Sequence, residues 1–340
     1  MTSALDISAA IPRPPLWLRV FAWAMVAFTC AFVLDSVLTF WVGMPGAGAL
    51  FRGDAALSGG VLLSALQLAL YGAAVAGPVL YVRRTPDRPL RYDADIMSRI
   101  VRFLIRFAFW SVLLVGLADL TVSFLRVEQM LGDLVGAETA AAWGFNENRA
   151  PQLHLPMIGI ALLLAITTPT LGFQWLTLFV VLAELSIVIT RFVFSYEQAF
   201  QADLVRFWYG SLFLFASAYT LVEDGHVRVD VVYAALSTRT QGMLNVIGCL
   251  LMGILFCWVI LYFGMQTRSS VITAPLLSLE VTQAGFGMYV KYLMAGFLAV
   301  FGVTMMIQFC AYLLESWADW QGVPGGHPHH VHGEDQITEV

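Results

Sequence analysis

Residues 155–194 read LPMIGIALLLAITTPTLGFQWLTLFVVLAELSIVITRFVF, and only two of these forty side chains are ionisable. A helix crosses the hydrocarbon layer of a bilayer with roughly 20 apolar residues, so the stretch is too long for a single span. Pro169 and Gly172 interrupt it, because proline lacks an amide donor and glycine relaxes a helix. The stretch therefore predicts two membrane-spanning helices, 155–170 and 174–195, joined by a short turn.

Apolar runs of similar length recur along the chain. Hydrophobic residues make up 59% of the sequence and charged residues 12%, about half the charged share of a soluble domain, so lipid must cover much of the surface. Six further runs bring the number of predicted spans to eight and predict an all-α polytopic helical bundle. These runs are 16–43, 57–82, 100–127, 204–222, 241–265 and 288–314. The first is longer than the core of a cleaved signal peptide, so we interpret it as a retained span.

The distribution of arginine predicts how the bundle is oriented. The proline-rich loop at 83–99 opens the densest basic stretch in the chain, and basic loops face the cytoplasm. The loop at 128–153 is acidic, with Arg149 as its single basic residue, which predicts a periplasmic location. Counting spans from these loops places both termini in the cytoplasm. The tail at 321–340 is rich in glycine, proline and histidine and is predicted to be disordered.

Motifs for catalysis or cofactor binding are absent from the sequence. There is no P-loop, no HExxH and no GxSxG. Four of the six histidines lie in the tail and none falls in the middle of a predicted span, which argues against haem ligation. The four cysteines lie singly in apolar runs, as small buried hydrophobes do. We therefore expect no enzyme activity, no catalytic residue, no cofactor, no metal site and no nucleic-acid surface, with weak metal binding by the tail as an alternative.

Ionisable residues inside the apolar runs are the first candidates for a functional role, because a charge is costly in lipid. They are Asp35, Arg106, Asp119 and Glu184. The favoured interpretation is that they hold helices together by pairing, and an ion or proton pathway is the alternative. Glu184 and Arg191 are seven residues apart and therefore share one helix face.

A family resemblance begins at Arg191. Residues 191–231 read RFVFSYEQAFQADLVRFWYGSLFLFASAYTLVEDGHVRVDV. The Arg-Phe-Val-Phe end of one helix, the start of the next at 200–206 and the Gly-His-Val-Arg-Val-Asp signature at 225–230 resemble the small membrane subunit of tripartite ATP-independent periplasmic (TRAP) transporters. The site residues that this resemblance implies are Arg191, Phe194, Asp203, Arg206, Gly225, His226, Arg228, Asp230 and Glu280. The start of the second helix departs from the family pattern, because Phe200 and Ala202 stand where tryptophan and glutamate are favoured.

The resemblance covers about 174–316 and implies a function. Small subunits of this family form a membrane scaffold around a large elevator-type permease subunit, and a periplasmic substrate-binding protein delivers the substrate. The implied activity is ion-gradient-driven uptake of an organic acid, by symport, across the bacterial inner membrane. An integral accessory subunit of another membrane complex is the alternative, and a self-sufficient membrane enzyme or channel is a third possibility.

The resemblance also suggests how the chain is divided. Small subunits of this family usually stop at four helices, so residues 1–152 are interpreted as an N-terminal membrane extension of about three spans. Residues 153–320 form the small-permease-like domain. The signature at 225–230 is predicted to leave the membrane at the cytoplasmic face, with Gly225 as a helix C-cap and Arg228 bridging to lipid phosphate or to a carboxylate. We expect this segment to anchor the scaffold against membrane lipids and its partner.

Overall fold

The computed structural model describes residues 14–52, 58–168, 173–196, 199–222, 233, 235–281 and 287–325, and these residues form helices and no strand. The helices of this part are α1 Leu16–Phe40, α2 Ala49–Arg52, α3 Ser58–Arg84, α4 Leu90–Val127, α5 Leu131–Val135, α6 Ala137–Ala142, α7 Asn146–Arg149, α8 Leu155–Thr167, α9 Phe173–Val193, α10 Ala199–Val222, α11 Thr238–Gly248, α12 Leu255–Met265, α13 Thr273–Ser278 and α14 Lys291–Trp320. Two π-helical turns, Ala150–His154 and Cys249–Ile254, join α7 to α8 and α11 to α12.

Seven segments of the described chain are long and apolar enough to cross a membrane. They are Leu16–Phe40, Gly60–Arg84, Leu90–Val127, Asn146–Thr167, Trp175–Val193, Thr238–Met265 and Lys291–Trp320. Helix α10 is also long enough, with 24 residues and a length of about 36 Å, but Asp203 and Arg206 near its start make it less apolar. Each predicted span coincides with one of these eight segments, so the predicted all-α polytopic bundle is confirmed.

The predicted loop at 83–99 is wrong in its second half, because α4 begins at Leu90 and runs for 38 residues. Pro89 at the N-cap position has φ −63° and ψ 148°, and a helix can start directly after it. The added turns are amphipathic. Met97 is fully buried, whereas Asp95 and Arg99 form an exposed ion pair of 2.9 Å. Because one face of these turns is charged, the apolar run begins only at residue 100, although the helix begins at Leu90.

The predicted span at 155–170 begins too late. The helical segment is continuous from Asn146 to Thr167, through the π turn Ala150–His154. The wider turn falls where Pro151 and Pro156 each remove an amide donor. As a result His154 lies inside the span and is 1% exposed, whereas the predicted span 155–170 leaves it just outside.

Helices α4 and α14 form the centre of the bundle. Helix α14 packs against α1, α4, α10, α11 and α12, and α4 also contacts α8 and α10. One cluster of buried hydrophobic residues includes Leu18 of α1, Met97 of α4, Phe207 of α10 and Leu314 of α14. This core contains residues from before and from after position 152. The division of the chain into an N-terminal extension, 1–152, and a small-permease-like domain, 153–320, stays a prediction.

Buried and half-buried ion pairs connect the helices at the predicted cytoplasmic end. Arg19 of α1 donates from Nε to Asp93 of α4 at 2.6 Å, and both side chains are fully buried. Arg19 also donates to the carbonyl oxygen of Thr85, directly after α3. Arg91 donates to Asp319 near the end of α14 at 2.8 Å. These contacts join α1, α3, α4 and α14 at one end.

The predicted orientation can be tested with two exposed positions, Asp87 and Ala141. In spheroplasts, a membrane-impermeant maleimide should label Ala141→Cys and spare Asp87→Cys, because the residue-141 side is predicted to be periplasmic. Permeabilised cells should give labelling at both positions. The parent chain, with its own four cysteines, is the blank. Equal labelling of the two variants in intact spheroplasts would contradict the orientation.

The contact between α4 and α10 predicts a stability effect at Gly116. A Cβ added there would lie 2.5 Å from Nε1 of Trp208, whose N–H donates to the carbonyl oxygen of Val112 at 3.3 Å. Gly116→Ala should destabilise the protein by about 1–3 kcal/mol through overpacking, seen as a lower melting temperature in detergent. Gly72→Ala is the matched control, because no atom lies within 4 Å of a Cβ there. Equal melting temperatures for the two variants would rule out this close contact.

Candidate functional site

Asp119, near the end of α4, is the centre of a buried polar cluster. Its side chain is fully buried. Its Oδ1 accepts from Nη1 of Arg149 at 3.0 Å and contacts Nε2 of His154 at 3.1 Å. Its Oδ2 accepts the backbone N–H of Tyr289 at 2.8 Å. The carboxylate therefore holds together α4, the 149–154 turn and the segment before α14.

The π turn explains why Arg149 and His154 converge on one carboxylate. They are five residues apart, and a π-helical turn places residues i and i+5 on the same side. Arg149 is further fixed by donation from Nε to the carbonyl oxygen of Trp143 at 2.9 Å and from Nη1 to Oγ of Ser123 at 3.2 Å. The guanidinium is thus oriented by three acceptors, two on α4 and one directly after α6.

His154 joins Asp119 to α14 through both of its ring nitrogens. Its Nδ1 lies 2.8 Å from the hydroxyl of Tyr292 on α14, and its Nε2 lies 3.1 Å from Oδ1 of Asp119. The opposite charges of Asp119 and Arg149 lie 3.0 Å apart in the same buried group.

Tyr289 joins a second arginine to the cluster. The guanidinium of Arg149 lies 4.0 Å from the centre of its ring and that of Arg126 lies 4.8 Å away. Nη1 of Arg126 donates to the Tyr289 hydroxyl at 2.5 Å, and that hydroxyl donates to the carbonyl oxygen of Gly144 at 2.7 Å. Cation–π contact and hydrogen bonding together lock the ring between the end of α4 and the loop after it.

A second carboxylate holds the same segment from α10. Asp203 is 7% exposed and accepts the backbone N–H of Met288 at 3.0 Å. Nη1 of Arg206 lies 3.5 Å from Oδ1 of Asp203, and the Arg206 side chain is largely exposed. Glu280 accepts from Nζ of Lys291, the first residue of α14, at 2.5 Å. The two consecutive amides of residues 288 and 289 are therefore bound by carboxylates from two different helices.

Residues 177–319 match the family model of tripartite ATP-independent periplasmic transporters, DctQ component. We call these matched residues the DctQ region. No curated protein and no solved structure shows a significant match. The resemblance seen in the sequence is confirmed over these residues. Asp119, Arg149 and His154 lie before the DctQ region, whereas Tyr289 and Tyr292 lie inside it, so the buried cluster joins the extra N-terminal helices to the DctQ region.

The other intramembrane charges are not part of this cluster. Asp35 of α1 accepts from Nε2 of Gln67 at 2.8 Å and from the hydroxyl of Tyr71 at 3.1 Å, both on α3. Arg106 donates to the carbonyl oxygen of Ala165 on α8 at 3.3 Å. Both therefore bond to a neighbouring helix. Glu184 of α9 is exposed.

The predicted family residues are spread over the DctQ region. Arg191 and Phe194 are exposed at the end of α9, and the Arg191 guanidinium lies 6.0 Å from the ring of Phe192. Asp203 accepts the backbone N–H of Met288 just before α14, and Glu280 accepts from Nζ of Lys291 at the start of α14. The signature residues Gly225, His226, Arg228 and Asp230 lie outside the described residues.

The arrangement is suited to fixing helices rather than to catalysis. Asp119, Arg149 and His154 are closed to solvent, and Asp119 bonds to each of the other two. In the described ranges, no group of three or more histidine, cysteine or carboxylate side chains is placed to hold a metal ion. The cluster contributes structural specificity, because a buried charge tolerates only the packing that supplies its partners.

Loss of the Asp119 charge should destabilise the bundle. Asp119→Asn leaves Arg149 buried without its counter-ion, which costs about 3–5 kcal/mol and should lower the melting temperature in detergent strongly. The double variant Asp119→Leu/Arg149→Met should recover a large part of this loss, because it removes both charges.

The exposed pair Asp95–Arg99 provides the control. Arg99→Gln should change stability by about 0–1 kcal/mol, the usual range for a surface ion pair. If Asp119→Asn and Arg99→Gln melt at the same temperature as the parent, the buried cluster does not hold the bundle together.

Proposed function

We propose that the chain is the small permease subunit of a TRAP-type secondary transporter and acts as a membrane scaffold for a large permease subunit. The observation that carries this proposal is the DctQ match over residues 177–319. The chain is a multi-pass membrane protein, and in this proposal it lies in the bacterial inner membrane. It contributes structure to the transporter and performs no reaction itself.

The described interior supports a scaffold without a substrate site of its own. A cavity of about 350 Å³ lies among α1, α4, α8, α10 and α14 and is lined almost entirely by apolar side chains. Its hydroxyl groups, on Ser111 and Thr304, donate to carbonyl oxygens of their own helices. An organic acid needs a cation or several hydrogen-bond donors to replace its water, and this cavity offers neither. In this proposal the large subunit binds the substrate.

Rigidity is the property that such a scaffold needs. An elevator-type subunit moves its substrate-carrying part across the membrane, and the scaffold must hold still while this happens. The bundle is fastened by the Asp119 cluster at one end and by the Arg19–Asp93 and Arg91–Asp319 pairs at the other. The N-terminal helices take part in all these contacts, so we propose that they enlarge the scaffold and move with it as one body.

The remaining parts of the transporter follow from the same proposal. A periplasmic substrate-binding protein delivers an organic acid to the assembled subunits, and an ion gradient drives uptake. The exposed acidic side chains Glu128, Asp133, Glu138 and Glu147 lie on the face that is predicted to be periplasmic, where that protein would arrive.

Affinity capture of the tagged chain from its native membranes tests the proposal. A mild detergent extract should yield a large permease subunit, identified by mass spectrometry, in about equal amount. Proteoliposomes with both subunits, the binding protein and an ion gradient should take up a labelled dicarboxylate or 2-oxo acid, and liposomes that lack this chain should not. Capture of respiratory or photosynthetic subunits in place of a permease would favour an accessory subunit of another complex and contradict the proposal.

A further inference from the structure

Helix α9 lies at the edge of the described bundle. It packs against α10 and makes a small contact with α4. Leu176, Val180 and Ala183 are buried and form the packed face. Of the seven candidate spans it is the least buried, so most of its surface is open to lipid or to another protein.

One open stripe of α9 is unlike the rest of its surface. Glu184 is the twelfth of 21 residues and therefore lies at the middle of the span. Thr177 and Arg191 lie seven residues before and after it, and Val181 and Val188 lie between them. All five side chains are exposed. We call this set the Glu184 stripe.

Glu184 has no partner within the described part of the chain. It forms no hydrogen bond or ion pair with any described residue, whereas Asp35, Arg106 and Asp119 each bond to a neighbouring helix. A carboxylate at the middle of a bilayer, turned towards lipid, is among the most unfavourable placements for a side chain. Lipid tails offer it no hydrogen-bond donor, whereas a cationic side chain on another protein chain would stabilise it.

The pattern of the stripe suits a second helix better than lipid. Positions 177, 184 and 191 repeat every seven residues, as do 181 and 188, which is the spacing of a helix–helix seam. Besides Glu184, the seam between Thr177 and Arg191 carries Val181 and Val188, and β-branched side chains such as valine pack well in a helix–helix seam. The neighbouring exposed face is purely aliphatic, as lipid requires, with Leu178, Leu182, Leu185 and Ile189.

We propose that the Glu184 stripe is where a transmembrane helix of the large permease subunit docks, with an arginine or lysine of that helix paired to Glu184 inside the membrane. This inference rests on the proposed function. A second copy of this chain is a poor occupant, because two parallel copies meeting at this stripe would place one Glu184 against the other and repel. Charge complementarity therefore selects a different chain that carries a cation.

A photo-crosslinking amino acid at two positions of α9 locates the docked helix. The large subunit and the full-length tagged chain are co-expressed, with the crosslinker at Val188 on the stripe or at Leu182 on the aliphatic face. Val188 should crosslink to the large subunit and Leu182 should not. Crosslinks from Leu182 alone, or from Val188 to a second copy of this chain, would overturn the proposal.

Moving the carboxylate tests the charge itself. Glu184→Leu should lower recovery of the large subunit with the tagged chain by about tenfold, the size expected for loss of one polar contact between membrane helices. The double variant Glu184→Leu/Leu185→Glu keeps the composition of α9 but turns the carboxylate by about 100°, and it should not restore recovery. Unchanged melting temperatures of the isolated chain would show that both variants fold.

The outcomes separate this inference from the proposed function. If the parent chain captures the large subunit and both Glu184 variants do so equally well, the docking proposal is wrong and the proposed function stands. If the parent itself captures no large permease subunit, the proposed function is wrong and the docking proposal is wrong with it.

Discussion

The carboxylate of Asp119 is the constraint on which the rest of the bundle depends. It is fully buried, so its charge must be met by groups of the protein, and these come from an arginine, a histidine and a backbone amide on two other segments. Each donor fixes one distance to the end of α4. Because α4 and α14 are the central helices, fixing the segment before α14 against α4 also sets the positions of the helices that pack on both.

Because of this constraint, the extra N-terminal helices are part of the same packed bundle as the DctQ region. Helix α4 precedes the DctQ region, yet Gly116 lies directly against Trp208 of α10, and the hydrophobic core includes residues from both parts. The extension therefore covers a face of α10 and α14 that four helices alone would leave to lipid or to a partner. Within the DctQ region α9 remains the most open, because it is the least buried of the seven candidate spans in the described chain.

Hydropathy was enough to predict the spans, because lipid demands long apolar helices. It also singled out Asp119, since a charge in an apolar run is conspicuous. Its partners were not predictable in the same way. Arg149 and His154 were assigned to a loop and a span edge, because no periodic pattern marks the π turn that brings them into the membrane segment. The donor at Tyr289 is its backbone N–H, which every residue except proline has, so residue type cannot predict this contact. Gln67 and Tyr71, which bond Asp35, are neutral side chains common in any helix.

Asp119 and Glu184 are both carboxylates within membrane spans, and the comparison between them separates folding from assembly. Placing either charge in lipid is unfavourable, and a fold persists only if something offsets that cost. For Asp119 the chain itself supplies the donors, so the residue stabilises the isolated protein. For Glu184 the described residues supply no donor. Helix α9 turns Ala183 towards the core and leaves Glu184 exposed. A second chain that brings a donor to Glu184 would offset the cost of its charge, so this carboxylate acts in assembly rather than in folding.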